Sequence, residues 1–212
     1  SPENLDVDYK NKYKNLLDKN VRGYGYWMWK SQILKQTFDS LEENDIIIYL
    51  DSGIKIINHL NPIIELCKKD NIVLFDNRGI DPQYMKWTIH LNKRWTKRDC
   101  FVLMDCDDKK YHDAYQVDAS SMLFKKCGYV ENFLKDFKKF SENENIISDL
   151  PNITKSNFDI FLDHRHDQSI LSNLAIKYNL NLYIQPSQYG NYPERKYQQL
   201  LNHHRGNILI NS

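Results

Sequence analysis

The sequence predicts an α/β fold, and two features of it point that way. The first is the run Ile46-Ile47-Ile48-Tyr49-Leu50, apolar and β-branched with no polar alternation, closed by Asp51-Ser52-Gly53. Such a run reads as a strand buried on both faces, of the kind found at the centre of an α/β sheet. The second is that shorter strand-like runs at 71–75, 115–125 and 181–184 are separated by segments whose apolar residues recur at helical spacing. A chain of 212 residues fits one domain with a sizeable core, burying roughly 70% of the unfolded surface.

Composition narrows the function. A formal charge of +1 gives no global electrostatic case for nucleic acid or an anionic membrane surface. No apolar run approaches the ~20 residues of a membrane span, and the first residues lack a signal-peptide apolar core. Cys67, Cys100, Cys106 and Cys127 show no C-x-x-C spacing, which argues against a zinc knuckle or redox pair. Scattered cysteines in a chain this long read as free thiols of a reducing compartment, so a cytoplasmic location is expected.

Residues 5–19 read as a polar helix, with Tyr9, Tyr13, Leu16 and Leu17 at helical spacing. The densest aromatic segment follows, Arg22-Gly23-Tyr24-Gly25-Tyr26-Trp27-Met28-Trp29-Lys30, and its glycines suit a tight loop. One reading has Tyr26 and Trp29 walling a sugar or base with Arg22 or Lys30 near phosphate; the other, preferred for Trp27 and Trp29 because large aromatics dominate core burial, makes the two tryptophans core anchors. Ile33, Leu34, Phe38 and Leu41 then mark an amphipathic helix over 31–41. After the opening strand, 56–68 reads as a helix and 71–75 as a second strand. Cys100 to Met104 is an apolar run followed by Asp105-Cys106-Asp107-Asp108, a literal Asp-x-Asp that ranks second for a metal, although a short capped helix fits too. A strand with alternating pattern is expected over 115–125, a helix over 129–140 and a loop over 141–156.

Asp163-His164-Arg165-His166-Asp167-Gln168 gathers two imidazoles, a guanidinium and two carboxylates just ahead of a helix predicted over 170–178. A helix N-terminus favours anions and lowers carboxylate pKa, so acid/base or ligand chemistry is plausible there, with capping the bland alternative. The end of the chain adds His203-His204-Arg205-Gly206. Asp51 itself lies where open α/β sheets bind ligands, beyond the carboxyl ends of strands, although Asp-Ser-Gly is also ordinary turn composition.

In this order, the aromatic, basic helix start, Ile48-Tyr49-Leu50-Asp51-Ser52-Gly53, the strand from Gln116 to Lys126, His166-Asp167-Gln168-Ser169 and His203-His204-Arg205-Gly206 resemble nucleotide-sugar-dependent glycosyltransferases of the GT-A type. More narrowly, the chain is similar to a group of bacterial and viral sequences that share Gly-Tyr-Trp-x-Trp-Lys, Tyr-Leu-Asp-x-Gly and His-Arg-His-Asp-Gln-Ser. The resemblance implies a Rossmann-like GT-A fold, with a mixed, mostly parallel sheet flanked by helices. One such domain is expected over 1–212, without the family's first strand-helix unit and open to further domains in a longer chain.

It further implies transfer of a hexose from a UDP- or GDP-activated donor to a hydroxyl of a glycan or other acceptor. A divalent cation, Mn²⁺ or Mg²⁺, would be held by Asp51 with His203 or His204, the histidines resembling the C-terminal His-x-x-Gly of glycogenin-like transferases. Gly53 stands where the family's second Asp would be. Asp167 and Gln168 match a catalytic Asp-Gln pair, while Arg22, Tyr26, Trp29, Lys30, His166 and Arg205 would contact substrate. Two rivals are a metal-dependent hydrolase built on His164, His166 and Asp167 with the terminal histidines, and a non-catalytic nucleotide-sugar-binding module.

Overall fold

The computed structural model describes residues 2–77, 79–81, 86–88 and 91–204. After a 3-10 turn (Pro2–Asn4), the elements begin with α1 (Val7–Lys12), whose start is capped by the Asp6 carboxylate accepting from the Tyr9 N–H. The helix expected over 5–19 is thus shorter, with turns in its second half. A single tight turn, α2 (Gly23–Tyr26), leads into α3 (Trp29–Asp39) and then β1 (Ile46–Leu50). The helix expected over 56–68 is replaced by β2 (Ile54–Ile56) and α4 (Asn61–Asp70). Pro62 accounts for the shift, because proline fits the first turn of a helix and breaks its interior.

β3 (Ile72–Asp76) follows, then the paired β4 (Gly79–Asp81) and β5 (Lys86–Thr88). Three short helices come next, α5 (Asn92–Trp95), α6 (Arg98–Leu103) and α7 (Lys109–His112). The apolar run before Asp105 is therefore helical. β6 (Val117–Lys125) and α8 (Gly128–Ser141) match expectation closely, while the loop expected over 141–156 contains α9 (Glu144–Ile147), with Ile146 and Ile147 buried. The last elements are α10 (Asp167–Lys177), β7 (Leu182–Tyr183), a 3-10 turn (Gln188–Gly190) and β8 (Leu201–His203).

The main sheet has the order β1-β6-β3-β7. β6 is antiparallel to both β1 and β3, and only β3 and β7 pair in parallel. The expectation of a mostly parallel sheet is corrected here: β6 inserts between two strands that run alike, so most neighbouring pairs are antiparallel. β1 is corrected as well, from a central strand to an edge strand. Its continuous apolar sequence has a different cause. Ile47 and Tyr49 face a core built with α3, α8 and α10, while Ile46, Ile48 and Leu50 face a second core built with α4, Leu200 and Leu201. Both faces are covered, and among the described residues no strand pairs with its outer edge. The central place belongs to β6, buried along eight of its nine residues, so the alternation read there is overridden by helices on both sides.

α10 is wrapped by protein on nearly every side and is no surface amphipathic helix; Asp167 and the whole stretch from Ser169 to Ala175 are buried. Among the described residues no helix is long and apolar enough to cross a membrane. The four cysteines are free thiols.

Candidate functional site

Lys30 sits on the buried stripe of α3, in line with Leu34 and Phe38 at steps of four residues. Its side chain is thereby carried under the protein, to the carboxyl end of β1. There its ammonium lies 3.2 Å from Asp51 Oδ1 and 3.0 Å from Asp167 Oδ2, with Lys30 and Asp167 only 4% and 6% exposed and Asp51 39% exposed. A third oxygen, the Ala119 carbonyl, accepts from Nζ at 3.2 Å. That carbonyl is freed by an irregularity in the sheet. Leu74 pairs with Met122 and Phe75 with Asp118, so β6 skips Ala119, Ser120 and Ser121 against β3. Bulges of this kind break ladder pairing and re-aim groups beside functional sites.

Three oxygens within 3.2 Å match the three N–H groups of an ammonium. Lys30 is thus enclosed by these oxygens, hydrogen-bonded to the Ala119 carbonyl and ion-paired with both carboxylates, and it ties the two carboxylates together. Burial alone would lower its pKa, but Asp167 and Asp51 outweigh that and hold the ammonium above its ordinary range. Asp167 shows the opposite balance. Burial raises its pKa to about 6, and Lys30 only partly offsets that. The Lys30 contact is close but off the hydrogen-bond axis, so Asp167 Oδ2 is a buried oxygen without an aligned donor. A carboxylate in that state resists ionisation. Tyr49, two residues before Asp51 on the same side of the strand, donates its hydroxyl to Asp51 Oδ1 at 2.7 Å. Burial, then Asp51, pushes the phenol's pKa upward, so it remains a donor.

Two strained segments flank the centre. Gly23, Tyr24, Gly25, Tyr26 and Trp27 all have positive φ, making α2 a left-handed turn. His166, at φ 50° and ψ −116°, adopts a conformation that L side chains rarely take, immediately before Asp167. The two segments touch. The Tyr26 and Trp27 rings lie 5.0 and 5.6 Å from the His166 ring. His166 is 1% exposed; Nδ1 donates to the Ile147 carbonyl at 2.7 Å, and Nε2 lies 3.6 Å from Asp149 without a hydrogen bond. Burial holds this imidazole below its ordinary pKa. Arg22 is bidentate to Asp163 at 3.2 and 2.9 Å, which ties the two segments at the surface. Trp29 packs against the core and donates its indole N–H to the Gly23 carbonyl at 3.1 Å.

Gln168 turns away from Asp167 into a polar network. Its amide donates to Gln116 Oε1 at 2.6 Å, and the Gln116 amide donates in turn to the Trp95 carbonyl, Thr96 and Ser169. Asn92 continues it, bonded to Thr96 and Asn173. Gln116 and Asn92 are fully buried, so each bond replaces water the groups have lost. Neither residue stood out in the sequence. Tyr49 could have been found there, since the two-residue period of a strand puts it beside Asp51.

The terminal histidines do approach Asp51 along the chain. β8 pairs with β2 with His203 opposite Ile54, and the His204 N–H donates to the Gly53 carbonyl at 2.9 Å. The approach is one of backbone. Among the described residues no three His, Cys, Asp or Glu side chains converge to hold a metal. At Asp51 one oxygen already accepts from Tyr49 and faces Lys30, and Gly53 adds no donor. These residues do not fit a divalent cation. Arg205 and Gly206 lie outside the described residues.

The second Asp-x-Asp is also accounted for. Asp107 is ion-paired with Arg98 and Lys155 and hydrogen-bonded to His112, so it closes a surface network. His164 is buried with both ring nitrogens engaged, Nδ1 accepting from the Lys97 N–H and Nε2 donating to the Ile146 carbonyl. Comparison of the chain with models of protein families, with curated proteins and with solved structures finds no match.

Proposed function

We propose that the chain is a glycosyltransferase that moves a hexose from a UDP- or GDP-activated donor to a hydroxyl of a glycan or other acceptor. The observation that carries this reading is the pair of carboxylates held by a buried lysine at the carboxyl end of β1, one exposed and one kept near pKa 6. An acid/base group poised close to neutrality beside a ligand-facing carboxylate suits proton removal from a hydroxyl. In an inverting reaction Asp167 takes the acceptor's hydroxyl proton as that oxygen bonds to the sugar's anomeric carbon and the bond to the leaving diphosphate breaks. Lys30, in contact with Asp167, keeps a cation beside the carboxylate that must be ionised to act. In a retaining reaction Asp167 orients the sugar instead. Asp51 faces the ligand from the strand end.

The hydrolase alternative is weakened by His164, whose two nitrogens are both committed to backbone groups in the interior. The free thiols accord with a reducing, cytoplasmic setting. The test is a panel of nucleotide sugars assayed for transfer and for donor hydrolysis, with Asp51→Ala and Asp167→Asn checked for folding by circular dichroism. Loss of turnover in both folded variants is expected. Unchanged turnover in either removes that residue's role, and binding without any turnover by the wild type supports a non-catalytic module instead.

A further inference from the structure

We infer that Asp51 receives a hydroxyl group of the bound sugar and not a divalent cation, the positive charge of this centre being supplied by Lys30. The inference rests on the glycosyl-transfer reading and departs from the metal site that the sequence resemblance implies.

The geometry of one carboxylate carries it. Asp51 Oδ1 accepts from the Tyr49 hydroxyl at 2.7 Å and faces Lys30 Nζ at 3.2 Å. Among the described residues Oδ2 has no hydrogen-bond partner, and the side chain is 39% exposed. One oxygen is therefore fixed by the protein and the other is presented outward as a bare anionic acceptor. That is the complement of a hydroxyl donor, and a charged acceptor makes a stronger hydrogen bond than a neutral one. A divalent cation would meet a poor site. With Oδ1 taken by Tyr49 and Lys30, an ion would have to bind through Oδ2, where among the described residues no group of three or more His, Cys, Asp or Glu side chains forms to hold it. On Oδ1, at the usual bond of about 2.1 Å to oxygen, it would instead displace the Tyr49 hydroxyl and lie close to the buried Lys30 ammonium. Gly53 offers no second carboxylate, and His203 and His204 approach through β2 and β8 without their rings joining Asp51 in a ligand group.

Charge gives the same answer. Two carboxylates and one ammonium leave the centre neutral or singly negative, according to the protonation of Asp167. Such a centre offers no net positive charge to a diphosphate and is compatible with a neutral, hydroxyl-rich sugar. Lys30 is on this view a positioning residue: it sets the distance between Asp51 and Asp167 and cancels part of their repulsion without touching the ligand.

Two measurements test it. In the first, the metal alone is the probe: Mn²⁺ is titrated into wild type, Asp51→Ala and Lys30→Met, with free Mn²⁺ followed by electron paramagnetic resonance. Wild type and Asp51→Ala should titrate alike. Lys30→Met, which removes the cation from between two carboxylates, should gain a Mn²⁺ site at least about tenfold tighter than anything in the wild type. A Mn²⁺ site in the wild type that Asp51→Ala abolishes overturns the inference, and this comparison stands even where Lys30→Met does not fold. In the second, affinities for a UDP-hexose and a GDP-hexose are measured for wild type and Asp51→Ala, once with Mn²⁺ and once with a chelator. The loss on removing Asp51 should be about tenfold or more in both conditions, as for a hydrogen bond to a charged group. A loss seen only with Mn²⁺ overturns the inference and leaves glycosyl transfer standing. Absence of nucleotide-sugar binding under both conditions removes the inference and that reading together.

Discussion

Replacing Asp167 by asparagine should change how the stability of this protein depends on pH, in a direction opposite to ordinary acid denaturation. Burial raises the folded-state pKa of Asp167 to about 6, whereas an aspartate in an unfolded chain titrates near 3.9. Between those values the native state keeps a proton that the unfolded state has lost. The stabilisation from this group is therefore complete below the window and is lost as pH rises through it. The gap between the two values corresponds to about 3 kcal/mol across the full window, of which about 2 kcal/mol falls between about pH 4.5 and about pH 7.5. Urea unfolding of wild type and Asp167→Asn at steps through that range gives the difference in stability at each pH. Effects of the substitution that do not depend on pH cancel in the change of that difference, and so does the titration of distant carboxylates. Relative to the variant, the wild type should lose about 2 kcal/mol from the acid to the neutral end. A difference constant to within about 0.5 kcal/mol would refute the claim that burial raises the pKa of Asp167. The rising limb of the wild-type rate profile should show an apparent pKa near 6 if Asp167 is the base.

Three further outcomes are expected. Gln116→Leu should destabilise by about 1–3 kcal/mol in urea unfolding, because it removes the acceptor of the half-buried Gln168 amide and a donor to the Trp95 carbonyl and to the buried Thr96 and Ser169 hydroxyls; a loss below about 0.5 kcal/mol would mean that water or a rearranged side chain replaces those bonds. Gly190→Ala should lower the melting temperature or prevent folding, since a Cβ there would lie 1.9 Å from the Gln185 carbonyl oxygen, a backbone atom that cannot rotate aside; unchanged melting would show that the loop relaxes freely. Arg22→Ala should cost no more than about 1 kcal/mol, because its pair with Asp163 is 41% and 38% exposed; a much larger loss would show that this tie holds the two strained segments together.

Much of the framework was legible because it is written in local patterns. The limits of β1, β3, β6, α3 and α8 follow from apolar period and length. Pairing was not legible. Nothing local in Ile46 to Leu50 tells an edge strand from a central one when both faces are covered, and the covering residues come from α3, α4, Leu200 and Leu201. The site was half legible. Asp51 and Asp167 stood out as carboxylates at a strand end and a helix start, and their common partner is Lys30. That lysine had a signal of its own, a charge on the apolar stripe of α3 with Leu34 and Phe38. Gln116 gave none, because its function is to meet groups that only the folded chain brings to it.

The positions of strain bear on what the centre requires. A left-handed turn costs roughly 1–2 kcal/mol for each residue other than glycine, and Tyr24, Tyr26 and Trp27 all occupy one. His166 adds a further unfavourable backbone. Both segments end within a few residues of the ion pair: α2 delivers the chain to Lys30, and His166 delivers it to Asp167. A relaxed turn at either place would alter the direction in which α3 or α10 begins, and with it the 3.0 Å contact between the two side chains. That contact buries a charge pair whose removal from water is itself unfavourable. Stability alone would favour relaxed turns and an apolar pair at these positions. Strain and buried charge are concentrated on one contact, as the proposed use of Asp167 as a poised carboxylate would require, and the pH dependence of Asp167→Asn tests whether that carboxylate is poised.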